Sequence, residues 1–189
     1  HLSKNVELKD ITDDLCVFGL FGPKSRDLLK TLSEDNFEND QFKFGFAKFI
    51  TIDGVKIWTQ RLSYVGELGY ELYVDLKDAK KIYELLIEKG KDFNLSNCGM
   101  HAMDIMRMES GFLHWGHDIS PEENQYQAGL AFTISNKKDV DFIGKQALEK
   151  IKQDKVKTRF SMFTLKESEP GKPLLLHDEP IYDGDKIIG

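Results

Sequence analysis

The sequence lacks an apolar run near the roughly 20 residues a membrane span requires, and its first residues carry no basic-then-apolar leader, so membrane partners are excluded. It is also short of positive charge. With 26 Lys and Arg against 32 Asp and Glu, the formal charge is -6 and the pI about 5.4, which excludes a clustered basic surface for nucleic acid and favours a small-molecule partner. No Gly-x-Gly-x-x-Gly fingerprint occurs, so a dinucleotide fold would have to lie elsewhere. The only two cysteines, Cys16 and Cys98, are too few for a disulfide framework; they suit a reducing, cytoplasmic setting, where both are expected free and buried. An initiator methionine is missing at His1, and the last residues stop within a strand-like run, Lys186 to Gly189. Both ends read as cut from a longer protein.

What is present is a globular mixture, 40% hydrophobic and 31% charged, long enough to bury a core. The run Leu15 to Phe21 reads as a buried strand, ended by Gly22-Pro23 and followed by leucines at helical spacing over 23–33. Between 42 and 57, Asp53-Gly54 divides two predicted strands, and Phe42, Phe44 and Phe46 alternate as though they line one face. Asp75 stands where it can cap a helix whose Ala79, Ile82, Leu85 and Leu86 repeat at three and four residues up to Gly90. A second helix is predicted over 99–109, carrying Met100, Met103, Met106 and Arg107, then a loop over 111–130 and a helix opening at Phe142. His114 and His117 lack a third ligand, so no metal site is expected. The tail alternates from Arg159 to Leu165 and carries turns at Pro170-Gly171 and Asp183-Gly184, the composition of a separate all-β module. The expected architecture is α+β, mixed or antiparallel sheets with covering helices over 1–152, followed over 153–189 by the start of a β-barrel.

The stretch Gln60 to Val74 organises the rest. Two extended runs meet at a corner bounded by Gly66 and Gly69, where Glu67, Glu71, Tyr64 and Tyr70 crowd together. Carboxylate acceptors beside flat apolar rings are what a polar heteroaromatic ligand needs.

Arg61 to Leu72 resembles the signature of the folate-binding aminomethyltransferase family, the T-protein of the glycine cleavage system and its relatives. Gly99 to Gly111 is similar to that family's Arg-Leu-Glu-Ala/Ser-Gly helix, and His114 to Pro121 resembles the branch forming the C-terminal half of dimethylglycine and sarcosine dehydrogenases. The resemblance implies a tetrahydrofolate-dependent one-carbon transferase, with Glu71 pairing bidentately with ring donors of the pterin. It further implies Tyr64 and Tyr70 flanking the ring, and Glu67 fixing the corner by accepting backbone N–H bonds. Met103 and Arg107 are the remaining candidates for cofactor binding. Met103 stands where T-proteins carry a folate-reaching arginine, which moves the reading toward the branch acting on methylated glycines.

The family's catalytic aspartate is expected upstream of residue 1, FAD only in a domain outside this chain, and the chain alone is expected to be inactive. The implied partners are a reduced folate, a methylated-amine or aminomethyl donor and, for a true T-protein, a lipoyl-carrier protein. The rival class is a non-catalytic folate-binding module.

Overall fold

The computed structural model describes residues 6–135, 141–154, 156–166, 169–172, 175–176 and 178–189. They form two compact units, 1–118 and 119–189.

The first unit is built on a four-stranded antiparallel sheet. Strands β1 (Leu15–Phe21), β2 (Ala47–Ile52), β3 (Val55–Gln60) and β4 (Gly69–Asp75) lie in the order β1-β4-β3-β2. Helix α1 (Ser25–Leu32) follows β1, and α2 (Leu76–Gly90) follows β4. Successive strand residues face opposite sides, so Tyr70, Leu72 and Val74 of the inner strand β4 point into the core while Glu71 and Tyr73 point to the other face. The core joins Leu20, Leu28, Leu29, Ile50, Ile57 and Ile82 to those residues and to the rings of Phe37 and Phe42. Tyr70 meets Phe37 edge-on at 5.9 Å and Phe42 at 5.6 Å between ring centroids. The β2–β3 turn forms at Asp53-Gly54 as predicted, both residues at positive φ.

Three local expectations are corrected. Residues 42–46 are turns rather than strand: the Phe42 N–H donates to the Glu38 carbonyl at 2.7 Å, and Gly45 takes φ +77°. Phe42 is therefore buried while Phe44 and Phe46 are exposed. Asp75 occupies the N-cap position of α2 without a side-chain cap; the Leu76 N–H instead donates to the Asp14 carbonyl at 2.9 Å. Both cysteines are free, but Cys16 is only half-buried and Cys98 is exposed.

Beyond α2, helix α3 (Met100–Glu109) leads into the loop that closes the first unit. The second unit holds α4 (Lys145–Asp154) and a two-stranded ladder of β5 (Tyr182–Asp183) and β6 (Lys186–Ile187). Residues 159–165 are not a strand, because their backbone finds no ladder partner among the described residues; their one backbone bond, from the Phe160 N–H to the Gln127 carbonyl, measures 2.8 Å. The α+β architecture with a four-stranded antiparallel sheet stands.

The β3–β4 corner is held by close approach. Gly66 has φ +78°, and a Cβ there would collide with the Ser110 hydroxyl at the end of α3. Gly66→Ala is expected to cost about 1–3 kcal/mol in urea unfolding, combining left-handed strain with that clash. Adding Ser110→Ala should recover part of the loss. An unchanged midpoint in Gly66→Ala would show that the corner is not packed as described.

Candidate functional site

Glu71 is half-buried on the open face of the sheet. One of its carboxylate oxygens accepts a hydrogen bond from the Tyr73 hydroxyl at 2.9 Å. That bond, reinforced by partial burial and the carboxylate charge, raises the Tyr73 phenol above its ordinary pKa. Register sets Gln60 opposite Glu71 and Trp58 opposite Tyr73. Trp58, Gln60 and Tyr73 line a depression of about 970 Å³, with Phe49 and the segment Leu8–Thr12 among its other walls. Trp58 is steadied by an edge-on contact with Phe49 at 4.9 Å.

The other candidates lie elsewhere. Tyr70 is fully buried in the core on the opposite side of the sheet, its hydroxyl 3.5 Å from Arg26 Nε, so it does not flank a ring beside Glu71. Glu67 is exposed, and the corner is held by other groups: the Gly22 N–H and the Ser25 hydroxyl donate to the Leu68 carbonyl, and the Ser110 hydroxyl to that of Val65. Tyr64 stacks on Phe112 at 6.3 Å and donates to the Leu113 carbonyl at 3.1 Å. Met103 lines a separate cavity of about 350 Å³ with Met106, Tyr83 and residues 17–21 of β1.

Arg107 is buried and fully engaged. Its Nε donates to Asp104 at 2.7 Å, Nη1 donates to the Phe112 carbonyl at 3.2 Å, and Nη1 also pairs with Asp118. Burial opposes the guanidinium charge, yet the bonds to Asp104 and Asp118 outweigh it and leave the group still harder to deprotonate than usual. With its donors turned to these partners, Arg107 is a clamp of the fold rather than a free hand for a ligand. Asp118 also accepts from the His114 N–H at 2.8 Å. The rings of His114 and His117 stack at 5.6 Å, and no group of three or more His, Cys, Asp or Glu among the described residues is disposed to hold a metal.

The clamp joins all three sequence blocks: Ser110 reaches Val65 of the corner, Tyr64 reaches Leu113, and Arg107 reaches Asp118. Sequence reasoning missed Asp118 and Tyr73. Tyr73 was discoverable, two residues from Glu71 on one strand face; Asp118 became visible only when the loop returned to α3.

Burial pushes the Asp118 carboxyl up, but the His114 N–H and the Arg107 guanidinium together hold it below the ordinary carboxylate value. A depressed folded-state pKa contributes stability that is complete above the unfolded pKa, about 3.9, and is lost as pH falls through the folded value. Asp118→Asn is therefore expected to lose about 1–3 kcal/mol near neutrality, because it removes one of the two carboxylates paired with the buried Arg107 guanidinium and leaves Asp104 as its only charged partner. The deficit should shrink as wild type is acidified below about pH 3.9. Urea unfolding across pH reads this, and a deficit independent of pH would contradict it.

Residues 1–138, most of the chain, match the family described as the GCVT N-terminal domain. Over 98% of its length the chain is 35% identical to human mitochondrial dimethylglycine dehydrogenase, covering 21% of that protein. It is 38% identical over 95% of its length to the formaldehyde-forming 4-methylaminobutanoate oxidase of Paenarthrobacter nicotinovorans, covering 22%. An aminomethyltransferase of Alkaliphilus metalliredigens is 35% identical over 97% of the chain, which covers 48% of that enzyme. The chain thus spans about a fifth of the oxidative relatives and about half of the aminomethyltransferase. Matched over most of its length, and with the three motif blocks drawn together around one clamp, the chain belongs to the GCVT N-terminal domain family.

Proposed function

We propose that the chain is the folate-binding part of a T-protein-like protein, acting in tetrahydrofolate-dependent one-carbon transfer. The observation that carries this reading is Glu71: a half-buried carboxylate with one donor partner, on a face that also bears a depression walled by Trp58 and Phe49. A planar acceptor pair suits the adjacent N–H donors of a reduced pteridine, and the aromatic walls suit its flat ring. These residues fit the cofactor; Tyr70 and Arg107 serve the fold. Bound tetrahydrofolate would supply the nitrogens that accept the one-carbon unit. What this chain's own residues contribute is orientation, Glu71 fixing the ring by paired hydrogen bonds and the sheet face excluding water from one side of it.

A second reading has a specific observation behind it. The 35–38% identity to dimethylglycine dehydrogenase and 4-methylaminobutanoate oxidase extends over nearly the whole chain, and the His114-Trp115-Gly116-His117 block resembles the dehydrogenase branch. In that setting the chain is the folate domain of an FAD-dependent amine dehydrogenase, the flavin residing in another domain and the donor being a methylated amine. In the T-protein setting the donor is an aminomethyl group on a lipoyl-carrier protein. In both, residues 1–152 form the folate-binding region, 153–189 begin a β-barrel module, and the chain alone turns nothing over. Among the described residues no helix is long and apolar enough to cross a membrane.

Calorimetric titration of the complete protein with tetrahydrofolate tests the shared core of these readings. Removing a buried acceptor costs about 1–3 kcal/mol, so Glu71→Ala should bind roughly 5- to 150-fold more weakly with unchanged melting. Equal affinity would remove Glu71 from the site.

A further inference from the structure

We propose that Tyr73 is a positioning residue for Glu71, setting the carboxylate's orientation on the open face of the sheet, an inference that rests on the folate-binding reading above. Glu71 and Tyr73 are two residues apart on β4 and so share the open face, and the Tyr73 hydroxyl donates to Glu71 Oε2 at 2.9 Å. A glutamate has three rotatable side-chain bonds, and a half-buried one held at a single oxygen loses most of that freedom before any ligand arrives. The hydroxyl engages one lone pair on Oε2 and leaves Oε1 open, so the carboxylate keeps the acceptor capacity that bidentate recognition needs.

The support behind Tyr73 is itself rigid. β4 is an inner strand, bonded on both sides, and Tyr73 pairs in register with Val17 of β1 and Trp58 of β3. Tyr73 is half-buried and lines the depression together with Gln60, which stands opposite Glu71 in the strand register. No other side chain among the described residues donates a hydrogen bond to the Glu71 carboxylate. Removing the phenol oxygen therefore frees the carboxylate without opening the core, which lies on the opposite face.

The test is Tyr73→Phe in the complete protein, with tetrahydrofolate as the probe. The ring and its packing remain, so the melting temperature should stay within a degree or two, while affinity falls about 3- to 10-fold, the cost of re-ordering one freed side chain on binding. A merely structural role would weaken binding whether or not Glu71 is present. A positioning role acts through that carboxylate, so Tyr73→Phe should cost nothing further in a Glu71→Ala background. Wild-type-like affinity in Tyr73→Phe, or an equal further loss in the double variant, alongside weakened binding in Glu71→Ala, would overturn the positioning role and leave the folate reading standing. Absence of tetrahydrofolate binding by wild type would overturn both.

Discussion

The antiparallel pairing of β4 between β1 and β3 is the constraint on which the rest of this structure depends. A strand bonded on both edges cannot slip, since a shift of one residue would carry Tyr70, Leu72 and Val74 out of the core and turn Glu71 into it. The three apolar side chains pack against the helices and the rings of Phe37 and Phe42. Burying each fully is worth about 1.5–3 kcal/mol. That burial dictates the register, and the register delivers Glu71 and Tyr73 side by side to the other face. The candidate site is thus a consequence of core packing, built on a rigid element rather than on a loop.

A second device locks the corner that begins β4. Gly66 permits α3 to approach until the Ser110 hydroxyl reaches the Val65 carbonyl. Arg107 then draws Asp104, Asp118 and the Phe112 carbonyl around one buried cation. Three polar groups converging on a desolvated guanidinium contribute more to a unique loop path than to net stability, because desolvation offsets much of the attraction. Sequence blocks separated by tens of residues are thereby held as one body.

Membership of the GCVT N-terminal domain family places this body within longer relatives, of which the chain spans a fifth to a half. In the second unit Phe132, Ile143, Met162, Phe163 and Leu176 are all exposed, and the β5–β6 ladder is two residues long on each side. So short a ladder contributes little by itself, since isolated hairpins are marginal in water.

Much of this was legible in the chain alone. The strand at 15–21, the Asp53-Gly54 turn, the helix up to Gly90 and the glycine-bounded corner follow from periodicity and turn chemistry, which act between neighbours in sequence. The family resemblance was likewise carried by short contiguous blocks. Tertiary structure alone decided that Tyr70 serves the core, that Arg107 is consumed by Asp104 and Asp118, that Glu67 is exposed and that Phe42–Phe46 is turn rather than strand. The reason is physical. Local pattern specifies which residues share a face, but which face is buried, and which distant carboxylate meets a given cation, is settled only when separate elements compete for the same core.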